Sequence, residues 1–205
     1  PAVAYAIEDR AKYSEDEYFE YELTQNGYKI KKLKEKARNL LVENDFTLTI
    51  PESHEDIPVI GLGKNSLQNE KIKKLNLSNT IKEIDDFALY KDEKGDGLEE
   101  INIYPEIRDK ETDEVVKQKI DIERIGKKAI ENQDLKDLPF NVKILEESSL
   151  KNNNFTKLDL SDTEIIRKDS LKQENELNLI VNKYSDVEQP FYNEEKTKVE
   201  YIEKE

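Results

Sequence analysis

One spacing of apolar and small residues recurs along the middle of the chain. Between Ile81 and Leu89, an apolar residue is followed by another three positions later, then by a small residue and a final apolar residue. The same frame begins at four further positions: Val59, Ile122, Val142 and Thr163. A regular frame of this kind indicates a repeat architecture, in which each copy buries one stripe against its neighbours.

A second frame alternates with the first and predicts β-strands. Its apolar residues are separated by three and then by two positions, as at Ile72, Leu75 and Leu77. Further copies begin at Leu98, Leu135, Phe155 and Leu177. The last two apolar positions have the period of a strand with one buried face, so we expect these strands to stack side by side.

The small residue of the first frame predicts a tight turn or a short 3₁₀ helix. It occupies positions 66, 88, 129, 149 and 170 and is always Ser or Ala. A large side chain there would prevent close packing on the next copy. One repeat is therefore expected to be a strand followed by a compact turn.

The length of the unit favours leucine-rich repeats. The leading positions of the second frame are 26, 37, 20 and 22 residues apart, which indicates a unit of about 20 to 23 residues with two insertions. Leucine-rich repeats have about 20 to 29 residues. The insertions, residues 90–97 and 108–121, are charged, and we expect them to be loops at an edge of the array.

Residues before and after the repeats predict end caps, because an array of repeats otherwise exposes its core. Strand-like segments flank Thr24 to Gly27, where Asn-Gly supplies the positive φ of a hairpin turn. Residues 31–44 have helical spacing but could equally form a loop with strand character. The predicted divisions are an N-terminal extension (1–17), an N-terminal cap (18–58), repeats (59–182) and a C-terminal cap or linker (183–205).

These frames resemble the bacterial surface leucine-rich-repeat proteins of the BspA-like, or Treponema pallidum, type. The repeat of that family is similar to L-x-x-I-x-L-P-x-S-(V/I)-x-x-I-G-x-x-A-F. Its two halves are matched by Leu98-Glu-Glu-Ile101-Asn-Ile103-Tyr-Pro105 and by Ile122-Glu-Arg-Ile125-Gly126-Lys-Lys-Ala129-Ile130. The Ala-Phe ending is replaced here by Ser-Leu, Ala-Leu or Ala-Ile, which keeps a small residue before an apolar one.

The resemblance covers roughly residues 18–182 and implies a fold and a role. The implied fold is a β-rich α/β solenoid of leucine-rich repeats with an N-terminal β-hairpin cap. The implied role is that of a secreted or cell-surface bacterial protein that binds a protein ligand, with host adhesion among the family's activities. The alternative is a structural spacer that holds apart the domains of a larger exported protein.

Composition and charge narrow the range of partners. Hydrophobic residues make up 35% and charged residues 39% of the chain, which suits repeats that each bury one narrow stripe. With 33 Lys and Arg against 47 Asp and Glu, the net charge is −14. That charge repels phosphate backbones, so nucleic acid is not expected as a partner.

The sequence also bears on compartment and processing. There is no Cys, which excludes disulfides, thiolate catalysis and cysteine-type zinc sites. No apolar run approaches the roughly 18 residues of a membrane span. The chain begins Pro1-Ala2-Val3-Ala4 without an initiator Met, so we expect a trimmed or processed product that could have lost a signal peptide or an anchor.

No catalytic motif is found in the sequence. His54, the single histidine, lies between Ser53 and Glu55, and we expect it to be a surface turn residue rather than a general base. Gly-x-Ser-x-Gly, P-loop and His-Glu-x-x-His segments are lacking. Residues 91–97 superficially suggest a calcium loop but lack alternating oxygen ligands. We therefore expect a non-enzymatic protein without a cofactor or metal.

The predicted binding site is the solvent face of the strand ladder. Residues beside the buried positions fall in two rows, one with Asn76, Asn102, Pro139 and Asp159, and one with Ser78, Tyr104, Asn141 and Ser161. The seven candidate ligand-binding residues are Asn76, Ser78, Asn102, Tyr104, Asn141, Asp159 and Ser161. Such rows are also what a merely solvated strand face presents. The Tyr-rich ends are a second candidate surface, although capping explains their tyrosines equally well.

Overall fold

The structure is a computed structural model that describes residue 7 and residues 9–205. These residues form a strand-rich fold with almost no helix. The predicted N-terminal extension lies partly outside the described residues, and its later part forms the first strand of a sheet.

The described residues form one helix and eighteen strands. The N-terminal elements are β1 (Tyr13–Glu15), β2 (Phe19–Thr24), β3 (Gly27–Leu33), α1 (Glu35–Glu43), β4 (Thr47–Thr49), β5 (Ser53–His54) and β6 (Ile57–Leu62). The central elements are β7 (Lys74–Ser78), β8 (Glu83–Ile84), β9 (Glu100–Tyr104), β10 (Ile107–Arg108), β11 (Val115–Val116) and β12 (Ile120–Ile125). The C-terminal elements are β13 (Phe140–Leu145), β14 (Lys157–Leu160), β15 (Ile165–Ile166), β16 (Leu177–Asn182), β17 (Asp186–Val187) and β18 (Thr197–Ile202).

Ten strands form a long sheet, in the order β1-β2-β3-β6-β8-β12-β13-β15-β17 with β5 paired to β6. The β1-β2, β2-β3 and β5-β6 pairs are antiparallel. From β3 onward every pair along the main order is parallel. The first frame of the repeat supplies β6, β8, β12, β13 and β15, and its second apolar residue lies fully buried in each copy, at Leu62, Ile84, Ile125, Leu145 and Ile166.

Two shorter parallel sheets have three strands each, and the second frame supplies four of these six strands, all except β4 and β18. We call β4-β7-β9 the first short sheet and β14-β16-β18 the second short sheet. The chain passes from a short sheet to the long sheet and back. Within each short sheet the strands pair side by side, which confirms the predicted stacking. The frame that begins at Leu177 predicts its second apolar residue three positions later, at Ile180, but the buried residues of β16 are Leu177, Leu179 and Val181, so this prediction was wrong by one residue.

The copy between the two short sheets lacks its strand. Leu135 and Leu138 are buried as predicted, but the chain there makes no strand pairing, and Phe140 instead starts β13 of the long sheet. Pro139 has no N–H to donate to a ladder, and its carbonyl accepts from the N–H of Ile120 at 3.0 Å. The connection is also short, since Phe140 and Leu145 are five positions apart whereas Leu160 and Ile166 are six apart.

Compact turns join the strands, with no 3₁₀ helix among the described residues. In every copy the residue before the small one has positive φ: Asn65, Phe87, Lys128, Ser148 and Asp169. The N–H of the apolar residue after the small one bonds to the next copy, as from Ile130 to the carbonyl of Ser149 at 2.8 Å. These hydrogen bonds hold the turns of neighbouring copies at the distance that separates two paired strands. Only small side chains fit between them.

Three of these small residues are serines whose hydroxyl groups do not stabilise the fold. Ser66, Ser149 and Ser170 have buried Oγ atoms without a hydrogen-bond partner in the described part of the chain. Two other copies carry Ala at the same position, Ala88 and Ala129, and both are fully buried. A buried hydroxyl without a partner costs about 1 to 3 kcal/mol in mutational data.

We expect Ser149→Ala to raise the free energy of unfolding by up to about 1 kcal/mol, because it removes a buried polar atom and keeps the shape of the turn. Urea denaturation followed by far-UV circular dichroism measures the change. Ser149→Leu is the control and should destabilise the protein by about 1 to 3 kcal/mol through overpacking. Loss of more than about 0.5 kcal/mol in the alanine variant would show that the hydroxyl has a partner.

The N-terminal cap contains the predicted hairpin and resolves the ambiguous segment. β2 and β3 pair from Phe19 to Leu33 through a two-residue loop, and positive φ falls at Gly27. The helix α1 buries Ala37 and Leu41, which are four residues apart and therefore lie on one face. Residues 31–44 are therefore the end of a strand followed by a helix.

His54 is buried in this cap, so the prediction of a surface turn residue was wrong. Its imidazole is 9% exposed and stacks on Tyr21 with centroids 3.9 Å apart. Tyr28 meets the same ring edge-on at 4.9 Å. Residues 55 and 56 have positive φ and turn β5 back along β6, which directs the ring inward rather than to solvent.

The described residues share one hydrophobic core, from Phe19 in the cap to Phe191 near the C-terminal end. Residues 183–205 add one strand to each side of the array, since β17 continues the long sheet and β18 continues the second short sheet. No helix among the described residues has the length and apolar character needed to cross a membrane.

Candidate binding groove

The first predicted row begins on the outer face of the first short sheet. Thr49, Asn76 and Asn102 are neighbours in the register of β4, β7 and β9, which confirms the alignment of the two asparagines. The amide of Asn76 donates to Thr49 Oγ1 at 3.0 Å, and the amide of Asn102 donates to Asn76 Oδ1 at 3.5 Å. The three side chains therefore form a chain of polar groups across the sheet that keeps some donors and acceptors facing solvent.

The second row differs from its prediction. Ser78 and Tyr104 are aligned in the register of β7 and β9, but Ser78 is fully buried and cannot contact a ligand. Its Oγ accepts from the N–H of Thr80 at 3.3 Å. The Tyr104 hydroxyl donates to the carbonyl of Ile50, so the ring lies across the strand ends. Burial raises the pKa of Tyr104, with the charge of Glu52 as a second cause.

Asp159 and Ser161 belong to the second short sheet. Asp159 is exposed, and its Oδ1 accepts from the N–H of Ser161 at 2.9 Å. Burial would raise the pKa of Asp159, but the hydrogen bonds from Ser161 hold it below its ordinary value. Ser161 is only 5% exposed, so its predicted exposure was wrong. It directly follows the last residue of β14.

The rows do not run unbroken along the array. Pro139 interrupts the first row, because the copy that contains it has no strand between the two short sheets. Asn141 was expected beside Tyr104 but lies in β13 of the long sheet, opposite Asp121, whose Oδ1 accepts from its amide at 3.3 Å. The structure therefore brings together Asn76, Asn102 and Tyr104 but not the other candidates.

A hairpin within the second insertion forms one wall of a groove over this face. β10 and β11 pair antiparallel, so the prediction of a loop for residues 108–121 was only partly correct. We call residues 107–116 the insertion hairpin. Its base is held by Gln118, whose amide donates to the carbonyls of Ile103 at 3.2 Å and Pro105 at 2.6 Å.

The groove has a polar floor and an apolar wall. It has a volume of about 730 Å³, is open to solvent, and extends from Thr49, Asn76 and Asn102 to Val115 and Val116. Ile107, Val115 and Val116 of the insertion hairpin are 48%, 53% and 43% exposed. Branched apolar side chains exposed together beside aligned amide groups are typical of a protein-binding surface.

A cluster of ion pairs lies on the long sheet. Lys29 crosses the strand that contains Gly61 and reaches Glu83 at 2.8 Å and Asp85 at 3.0 Å. Burial would lower the pKa of Lys29, but these hydrogen-bonded carboxylates hold it above its ordinary value. Burial raises the pKa of Asp85 despite Lys29. All of these charges have partners, so the cluster joins strands rather than presenting a free site.

Buried amides at the turns were not predicted from the sequence. Gln133, Asn153 and Gln173 are each no more than 3% exposed. The Asn153 amide donates to the carbonyls of Ile130 and Leu150, and the Gln133 amide donates to the carbonyl of Leu89. They satisfy main-chain groups that the turns leave unpaired. Their signal in the sequence is an amide residue two or three positions after the apolar end of the first frame.

Two further segments bear on chemistry. Ser14 Oγ lies 2.8 Å from His54 Nε2, but the nearby carboxylate of Asp16 accepts at 2.5 Å from the Tyr21 hydroxyl instead of orienting the imidazole. Burial and this hydrogen bond raise the pKa of Tyr21. In residues 91–97, Asp92 accepts from Asn69 at 3.1 Å. No group of three or more potential metal ligands occurs in the described part of the chain.

Comparison with solved structures shows the fold of a leucine-rich-repeat protein. A leucine-rich cell surface protein from Faecalibacterium prausnitzii is similar with a TM-score of 0.57 and 16% identity, over 87% of this chain and 47% of that protein. This chain thus spans about half the length of that neighbour. A leucine-rich repeat protein from Bacteroides capillosus is similar with a TM-score of 0.42 and 9% identity, over 93% of this chain and 99% of that protein. No family model and no curated protein sequence matches the chain.

Proposed function

We propose that this chain is a leucine-rich-repeat solenoid of the BspA-like type, secreted or displayed on a bacterial cell surface, and that it binds a protein ligand without catalysis. The solenoid is supported by the alternation between the long sheet and the short sheets, because every passage except the one through Leu135 and Leu138 adds one parallel strand to both sides. The surface location is supported by the neighbour from F. prausnitzii, which is a leucine-rich cell surface protein.

The groove between the first short sheet and the insertion hairpin is the observation that carries the binding role. A structural spacer requires only a soluble outer surface and has no need of Ile107, Val115 and Val116 exposed on a hairpin. The second frame elsewhere reaches the next strand without such a hairpin. An insertion that places apolar side chains beside Asn76 and Asn102 builds a recognition surface on an otherwise regular array.

The mode of binding follows from the chemistry of the polar floor and the apolar wall. Valine side chains supply apolar area, and the amide of Asn102 supplies a donor and an acceptor that can pair with peptide groups. A strand or loop of a protein ligand carries both apolar side chains and peptide groups. We propose adhesion to host extracellular or cell-surface proteins as the process that this binding serves.

Surface plasmon resonance with a panel of extracellular-matrix and cell-surface proteins tests this function. We expect saturable binding by the purified 205-residue protein. Replacing both hairpin valines, as Val115→Asp with Val116→Asp, should weaken binding at least about tenfold. Burying the exposed halves of two valines is worth about 2 kcal/mol, and the new carboxylates would have to be desolvated.

The matched control is Val42→Asp on α1, where the valine is 68% exposed and distant in sequence from the hairpin. It should leave the dissociation constant unchanged within about twofold. Equal weakening by both changes would indicate nonspecific binding through exposed apolar residues. A flat response across the whole panel would favour the structural spacer instead.

A further inference from the structure

The outer edge of β18 carries free main-chain groups. Among the residues that the structure describes, β18 is an edge strand of the second short sheet and pairs only with β16. The N–H of Leu177 donates to the carbonyl of Lys196 at 2.9 Å, and the N–H of Lys183 donates to the carbonyl of Ile202 at 2.8 Å. Because peptide groups alternate sides along a parallel strand, those of Thr197, Val199 and Tyr201 point away from β16.

The core is also open at this edge. Leu179 and Val181 of β16 are 1% and 0% exposed, whereas their partners in β18 are less covered. Val199 is half-buried, and Tyr201 is 49% exposed. A strand with free peptide groups and uncovered apolar side chains is a template for pairing with another strand.

The sequence of β18 is complementary to itself in one antiparallel register. A two-fold axis through Val199 places Lys198 of each copy directly opposite Glu200 of the other, twice in the same interface. Both side chains are exposed on the outer face of the sheet. On the inner face, the same axis places Val199 against its own counterpart and Tyr201 against Thr197.

The main-chain groups agree with this register. Residues with outward-pointing peptide groups must form the hydrogen-bonded pairs of an antiparallel ladder, and these are the pairs made by Thr197, Val199 and Tyr201. Lys198 and Glu200 then fall in the non-hydrogen-bonded pairs, where side chains approach most closely. An axis through Thr197 would instead oppose Lys196 to Lys198, so the charges select the axis through Val199.

We propose that two copies of this chain associate through β18, which pairs antiparallel with β18 of the second copy about a two-fold axis at Val199. The second short sheets then join into one six-stranded sheet, and the open ends of the two cores cover each other. The interface is isologous and closes at two copies. The net charge of −14 on each copy opposes association, so the dimer forms best at physiological or higher salt.

A charge exchange in the 205-residue protein tests the pairing. Analytical ultracentrifugation in about 0.15 M salt, where the screening length is about 8 Å, should show a concentration-dependent dimer. Lys198→Glu alone and Glu200→Lys alone should each raise the dissociation constant at least about tenfold, because two attractive pairs become repulsive. The double change should restore it to within about threefold.

An equimolar mixture of the two single variants provides an independent readout. One variant carries two acidic residues and the other two basic ones, so the mixture should dimerise although neither does alone. Thermal unfolding by circular dichroism confirms that each variant is folded. A wild-type protein that stays monomeric, larger assemblies instead of dimers, or single variants that dimerise as the wild type does would each overturn the proposal.

A cysteine on the proposed axis tests the register itself, since the chain has no Cys of its own. Val199→Cys places two Cα atoms about 5.5 Å apart, within disulfide range, and mild oxidation should link most of the dimer. Thr197→Cys is the control, because its copies would lie four residues apart along the ladder, about 13 Å, and should not cross-link. Efficient linkage of the control with none at position 199 would contradict the register.

Discussion

Replacing Asn153 by leucine is expected to lower the free energy of unfolding by about 3 to 5 kcal/mol. The side chain is 1% exposed and, like leucine, has four heavy atoms branched at Cγ, so the change mainly replaces polar atoms by apolar ones. Its amide donates to the carbonyls of Ile130 at 2.8 Å and Leu150 at 3.1 Å, and its Oδ1 accepts from the N–H of Leu135 at 3.1 Å. Three buried main-chain groups would lose partners, each at about 1 to 3 kcal/mol, and the gained apolar contact offsets only part of this.

Urea denaturation followed by circular dichroism and by tyrosine fluorescence measures this loss. The matched control is Asn175→Leu, because Asn175 is exposed and its amide donates only to the side chain of Asn154 at 3.2 Å. That change should stay within about 0.5 kcal/mol of the wild type. A loss below about 1 kcal/mol at position 153 would mean that water replaces the amide, which its burial argues against.

Replacing Gly126 by alanine is expected to lower the free energy of unfolding by about 2 to 4 kcal/mol. A Cβ at this position would lie 2.4 Å from both the backbone nitrogen and the Oδ1 of Asp86. The Asp86 carboxylate accepts from the N–H of Lys127 at 2.8 Å, and the N–H of Gly126 donates to the carbonyl of Ile84 at 2.7 Å. The two copies therefore cannot separate to admit a methyl group without breaking hydrogen bonds.

The control for this prediction comes from the repeat. Glu146 occupies the same position of the next copy, where a side chain is accommodated, so Glu146→Ala should change the stability by less than about 0.5 kcal/mol. Both variants are measured by chemical denaturation under the same conditions. Equal stability of the Gly126 variant and the wild type would show that the turn after β8 shifts freely.

The second frame predicted β7, β9, β14 and β16 because the cause of these strands is local, whereas the first frame predicted the turns but not the long-sheet strands that precede them. Alternation of buried and exposed residues within five or six positions decides which face of a strand enters the core, and this information lies in the sequence itself. Leu75 and Leu77 of β7 and Leu158 and Leu160 of β14 are buried as the pattern indicates. The small residues of the turns were predictable for the same reason.

The pattern failed where a single residue outweighed the periodicity. Leu135, Leu138 and Phe140 fit the strand frame, yet Pro139 removes the N–H that a ladder requires, and the chain turns early into the long sheet. The proline was visible in the sequence, so this interruption could have been predicted. Its consequence for Asn141, which moved to another sheet, could not.

The sequence by itself determined the period of the array, the buried stripe of each copy and the positions of two insertions, since each depends on residues close together in the chain. Tertiary structure alone decided the groove, because Asn102 and Val116 are distant in sequence and line one groove only in the folded chain. It also decided that His54 is buried and that Asn153 bonds three main-chain groups in two neighbouring copies. Polar side chains have no fixed preference for burial. Their place follows from which unpaired main-chain groups the fold brings near them.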